Sequence, residues 1–139
     1  MASSDKKAGF NPLRWDCDKY GCFNIKRRPK IEVFSDCFPG RINFGDVDGI
    51  VEINGKGLML EWKSDCKKLP LGQQIMYERL TDTQKITVIV VIGDPETMVC
   101  REAFVFFGGK ETDRSSVDLE GVKLIMLRWV KWARYGETK

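Results

Sequence analysis

The reading of this chain turns on one stretch, Gly45-Asp46-Val47-Asp48-Gly49-Ile50-Val51-Glu52-Ile53-Asn54-Gly55-Lys56-Gly57-Leu58-Met59-Leu60-Glu61-Trp62-Lys63. Asn54-Gly55 separates two runs of β-prone residues, the strongest short-range signal for a two-residue hairpin loop. With Asn54 and Gly55 at the centre of the turn, Asp48 faces Glu61 across the hairpin and Asp46 faces Lys63. Side chains alternate along a strand, so these four groups share one face. Val47, Val51, Ile53, Leu58, Leu60 and Trp62 gather on the other face, as a core would.

Two carboxylates directly opposite each other on neighbouring strands have Cβ atoms roughly 4.5–5.5 Å apart and repel unless something compensates. A divalent cation would do so. Mg²⁺ (or Mn²⁺) takes a few carboxylate oxygens together with waters and a substrate phosphate, and Asp48, Glu61 and an approaching phosphodiester would supply that set. Lys63 would reach the same place. Its ammonium can orient an attacking water or stabilise charge on a phosphate, and with a lowered pKa it could take the water's proton. Metal and lysine together allow in-line phosphodiester hydrolysis without histidine.

Outward from the hairpin, Pro70 to about Asp82 reads as a helix with Ile75, Met76 and Leu80 among polar neighbours. Ile86 to Ile92 is a near-continuous β-branched run, expected of a strand buried on both faces. Ala103 to Phe107 is a further strand, and Val117 to Tyr135 is the longest helical stretch, with Leu119, Val122, Ile125, Met126, Trp129 and Trp132 at helical spacing. That order predicts an α/β sandwich with a mixed sheet. Towards the N-terminus, residues 1–12 read as a loose arm and 13–139 as a single domain, with Trp15 to Pro39 as loops carrying short elements.

The 139 residues carry 23 basic and 20 acidic side chains, a net charge of +3, which permits a polyanionic partner without demanding one. There is no histidine. Ser-His-Asp triads, Cys-His proteases and histidine-base nucleases are thereby excluded. The glycine patterns that cradle nucleotide phosphates are missing too. Five scattered cysteines do not form the framework of a small secreted protein, and neither a signal peptide nor a run of ~18 apolar residues is present. The expectation is therefore a cytoplasmic protein without a membrane partner.

Asp48 followed by Glu61-Trp62-Lys63 resembles the D…E-x-K signature of the PD-(D/E)XK nucleases, on the hairpin where that superfamily carries it. From about Pro39 to Gly93 the chain is also similar to virus-type replication-repair (VRR-NUC) and Holliday-junction-resolvase-like members. In those, a Gly-Lys-Gly-like turn leads into E-x-K, then a charged loop, a helix with an early glutamine, and a hydrophobic strand. Gly55-Lys56-Gly57, Glu61-Trp62-Lys63, Leu69-Pro70 and Gln73 to Leu80 fill those places. Gln73 and Tyr77 form Q-x-x-x-Y, similar to the exonuclease branch, and point the same way from a helix.

The resemblance implies a restriction-endonuclease-like core, a mixed central β-sheet flanked by helices. It implies a Mg²⁺- or Mn²⁺-dependent hydrolase cutting DNA, with RNA left open, in phage-type replication, recombination or repair within a bacterial host cytoplasm. A homodimer is a further option. Asp48, Glu61, Lys63 and Gln73 become the catalytic set; Asp48, Glu61 and the Trp62 backbone carbonyl become the metal ligands. Glu32, Asp46 and Tyr77 are additional candidates. The usual proline before the first aspartate is replaced by Val47, and the surroundings of Glu32 between Pro29 and Pro39 make a poor helix.

The basic run Lys26, Arg27, Arg28 and Lys30 would be an ordinary solvated loop, or a phosphate-backbone contact beside a nuclease site. Cys17, Cys22 and Cys37 suggest zinc, although buried free thiols fit their spacing better. Cys66 and Cys100 carry no pattern. Trp129 and Trp132 read as core or as a dimer interface. The competing functions are a silent nuclease-fold module that binds DNA or protein, and a zinc-stabilised interaction protein. The bland reading of the four-charge face is a solvated, salt-bridged strand surface.

Overall fold

The computed structural model describes residues 29–136. The chain divides into two compact units, Met1–Asp46 and Val47–Lys139. The N-terminal arm, Cys17, Cys22, Lys26, Arg27 and Arg28 lie outside the described residues.

In the first unit, Ile31–Cys37 forms a 3-10 helix bracketed by Pro29 and Pro39. A proline on either side limits longer helix, and a tight turn with i→i+3 bonds is what remains. The helix buries none of its residues. Phe44 packs edge-on against Phe34 and Phe38 at centroid distances of 6.3 and 5.2 Å. Cys37, expected as a buried thiol, is exposed here, because this short helix has no covered face.

The second unit is α/β. Its elements are β1 (Gly49–Ile53), β2 (Lys56–Lys63), α1 (Leu71–Leu80), β3 (Ile86–Gly93), β4 (Cys100–Phe107), β5 (Lys110–Glu111), β6 (Ser115–Ser116) and α2 (Leu119–Tyr135). The sheet has six strands in the order β1-β2-β3-β4-β5, with β6 also beside β4. It is mixed, since β2 and β3 are parallel and every other pair is antiparallel. Parallel neighbours cannot be joined by a tight turn, and α1 supplies the crossover.

The hairpin has the expected register, with Ile53 opposite Lys56 and Gly49 opposite Leu60. Asn54 and Gly55 both take positive φ, 53° and 80°, as a type I′ turn requires. The Gly55 N–H donates to the Glu52 carboxylate at 2.6 Å, which fixes the loop. At the far end of the unit, Asp118 caps α2 by accepting from the Gly121 N–H at 2.9 Å, and left-handed Gly136 ends it.

β3 is buried from Thr87 onward and feeds both faces of the sheet. On one face Leu58, Ile89, Val91 and Ala103 pack with Val122, Trp129 and Ala133 of α2. On the other, Val88, Val90, Ile92, Phe104 and Phe106 pack with Leu69 and with Tyr77 of α1. This corrects the simple division of the hairpin into a core face and a charged face. Val47 and Val51, expected in the core, are 45% and 49% exposed. Val51 sits on edge strand β1, whereas the buried α2 contacts gather over the inner strands. The face that bears Glu61 is itself a second core rather than a solvated surface.

Candidate functional site

Glu61 lies near the end of β2, on the face covered by α1, and its side chain is only 14% exposed. Removing a carboxylate this far from water is costly unless donors surround it. Three side chains meet that need. The Lys63 ammonium stands 3.2 Å from Glu61 Oε2. The Gln73 amide donates to the same oxygen at 3.3 Å from α1. One turn further along α1, buried Tyr77 directs its hydroxyl at Glu61.

Burial pushes the Tyr77 hydroxyl far above the usual phenol range, and the Glu61 charge, the hydrogen bond to Glu61 and the Asp48 charge push it the same way. Tyr77 therefore remains a protonated donor. Because a carboxylate can only accept, Gln73 must turn its NH₂ towards Glu61. Its Oε1 is then left buried and without a partner.

Asp48 falls one residue before β1, so it is not part of the ladder. Its Oδ2 instead accepts the Trp62 backbone N–H at 2.6 Å. A strand residue turns its N–H and C=O to the same side, so the Trp62 carbonyl faces the flank beside Asp48, where β1 has not yet begun. The Trp62 indole runs to the opposite core and donates to the Gly93 carbonyl at 2.9 Å. Gly93 permits this close approach: a Cβ there would lie 2.3 Å from the Val99 oxygen and 3.2 Å from the Trp62 ring. Trp62 is thus held at both ends, by Asp48 and by Gly93.

The structure therefore brings Asp48, Glu61, Lys63, Gln73 and Tyr77 together. Asp46 and Glu32 are not part of that cluster's unit. They belong to the first unit, where both line a pocket of about 380 Å³ with Ser35, Asn43 and Phe44. The ladder between β1 and β2 begins at the pair Gly49 and Leu60, so Asp46 is not one of its residues. Lys30 is exposed in the first unit.

No known protein family, curated protein or solved structure matches this chain.

By sequence, the stretch Ser64–Pro70 after Lys63 is only a charged loop. In the structure, Arg101 donates to the Ser64 carbonyl and Arg114 to the Cys66 carbonyl. Arg114 also pairs with Glu102 at 3.4 Å and lies 4.8 Å over the Phe104 ring. Lys67 and Lys68 are exposed on the loop so tethered. Isolated arginines thirty and more positions downstream give no local signal of such a role.

As a metal centre, the donor set is small. Among the described residues no three histidine, cysteine, aspartate or glutamate side chains form a group that could hold an ion. Asp48 and Glu61 contribute two carboxylates, and the Trp62 carbonyl faces the same flank. Two carboxylates fit Mg²⁺, which keeps waters and shares its sphere with substrate phosphate, better than they fit a cage for zinc or calcium. Beside them, the unpartnered Gln73 Oε1 is an acceptor suited to a water.

Proposed function

We propose that this chain is a Mg²⁺- or Mn²⁺-dependent nuclease of PD-(D/E)XK type that hydrolyses DNA phosphodiester bonds. The observation that carries the proposal is the convergence of Lys63, Gln73 and Tyr77 on a mostly covered Glu61, with Asp48 bonded to the next residue, Trp62. Hairpin register brings the charged residues towards one another, but nothing in the local sequence brings Gln73 and Tyr77 of α1 to Glu61. The element order of hairpin, crossover helix and parallel strand is compatible with that superfamily's core.

Asp48, Glu61 and the Trp62 carbonyl would hold the cation. When bound, the ion supplies a Lewis acid and lowers the pKa of water. Lys63 neutralises Glu61 and carries positive charge to the place where a phosphate would lie. Gln73 fixes Glu61 through its NH₂ and presents Oε1 to orient a water. Tyr77 keeps its proton and holds the carboxylate from beneath. Lys67 and Lys68, on a loop fastened by two arginines, add charge for the nucleic-acid backbone. Contacts of that kind go to phosphates and carry no sequence information, which favours cutting by structure or without sequence preference, in replication, recombination or repair.

One observation favours a silent binding module instead. Glu61 is already neutralised by Lys63, and Asp48 is already bonded to Trp62, so the pair of carboxylates is compensated by the protein itself.

The deciding experiment is cleavage of labelled single-stranded, duplex, nicked and four-way-junction DNA with Mg²⁺ or Mn²⁺, comparing the wild type with Glu61→Ala and Lys63→Ala. The nuclease reading expects cleavage by the wild type that falls by about 10²-fold or more in each variant and stops in EDTA. Cleavage indifferent to both substitutions, or none on any substrate, moves the assignment to the binding module.

A further inference from the structure

The other face of the sheet holds a cavity of about 230 Å³ between the strands and α2. Leu58, Ile89, Val105 and Phe107 line it from the sheet, and Ile125 and Met126 from the helix. An apolar cavity of ~150 Å³ suffices for benzene. This one has room for a larger ring system.

Its walls are not wholly apolar. Thr87 and Trp129 both line it, they are 4% and 6% exposed, and neither the Thr87 hydroxyl nor the Trp129 indole N–H has a hydrogen-bond partner. A buried donor left unmade is expensive, and most such groups in folded proteins find a partner. The contrast with Thr112 is informative. It lines the same cavity, yet its hydroxyl accepts the Val105 N–H at 2.9 Å. Two orphaned groups in one apolar cavity are the pattern of a ligand site, where a few polar groups orient a mostly apolar guest. Both can donate, so the guest must accept. Arg128, exposed and also lining the cavity, adds a positive charge.

We infer that this cavity binds a small aromatic carboxylate, its ring among the aliphatic side chains and its carboxylate towards Trp129, Thr87 and Arg128. Thr87 and Ile89 alternate with Val88 and Val90 along β3, so the cavity lies across the sheet from Glu61. The inference does not depend on the nuclease reading.

Naphthalene-2-carboxylate is a suitable probe. The full chain labelled with ¹⁵N-tryptophan displays indole N–H signals that a Trp129→Phe variant assigns, and the probe is titrated against them. The expected result is a saturable shift of the Trp129 signal. Thr87→Val should weaken binding about three- to tenfold through the lost hydrogen bond, and Arg128→Gln about two- to fivefold. Acetate should leave the signal unmoved, and 2-methylnaphthalene, which has no acceptor, should bind about tenfold more weakly. A Trp129 signal unmoved up to the probe's solubility limit overturns the proposal. So does affinity unchanged in both variants, or equal for the carboxylate and the methyl compound, since either shows that the orphaned groups recognise nothing.

Discussion

The two faces of the sheet in the second unit are built from the same strands in alternation, and they differ in the polar groups they cover, although each leaves a buried polar atom without a partner, Gln73 Oε1 on the first. Beneath α1, Glu61 is surrounded by Lys63, Gln73 and Tyr77. Beneath α2, Thr87 and Trp129 keep buried polar atoms with nothing to bond. The helices account for the difference. α1 has ten residues, only Tyr77 of them buried, and it leaves space along the end of β2 for charged side chains. α2 has seventeen residues and lays Val122, Trp129 and Ala133 on an apolar floor. A short, weakly amphipathic cover tolerates a charged cluster at its margin, whereas a long amphipathic one surrounds Thr87 and Trp129 with apolar side chains that offer them no partner.

The largest effect that would break this comparison is expected at Lys63. Lys63→Met removes the cation from a mostly covered carboxylate and should destabilise the protein by about 1–3 kcal/mol, less than for a fully buried pair because Gln73 and Tyr77 remain. Denaturant unfolding measures it. An unchanged midpoint would mean that Glu61 is hydrated and that the first face is no second core.

Next in size is a pH effect. Tyr77 has a raised pKa in the folded protein, so its contribution is fully present below the unfolded phenol value near 10 and is lost as pH rises above it. In that range the unfolded chain has released a proton that the folded one retains. Stability should fall by about 1.4 kcal/mol per pH unit through this group. Comparing wild type with Tyr77→Phe above pH ~10 isolates it; parallel curves would show that Tyr77 is not held against Glu61.

The smallest effect should have the opposite sign. Thr87→Val replaces an unbonded hydroxyl by a methyl of similar shape and should be neutral or stabilise by up to about 1 kcal/mol. Destabilisation by more than that would mean that the hydroxyl has a partner in solution.

Much of the second unit was legible because its signals are local. Asn54-Gly55 specifies a turn through positive φ, and the turn sets the register that places Glu61 and Lys63 on one face. The β-branched run Ile86–Ile92 reads as a buried strand, and α2 follows from its apolar period. β5 and β6 were not legible, since two residues carry no period. The role of Asp48 was only half legible. Alternation brings it towards Glu61, but its bond to the Trp62 N–H follows from β1 starting one residue later, at Gly49. Trp62 itself looked like an ordinary core residue, and the need for Gly93 beneath it appears only where two distant strands meet.

By itself, the sequence determined the hairpin, the order of helices and strands, and which charged residues could share a face, because turn dihedrals and side-chain periods depend on neighbours a few positions apart. Only the tertiary structure decided that α1 closes over Glu61, that Gln73 and Tyr77 become its donors, and that Thr87 and Trp129 enclose a cavity. Those outcomes depend on how far each helix extends across the sheet, a matter of packing between segments distant in the chain, where no local pattern records which polar groups will be covered and which of them will find a partner.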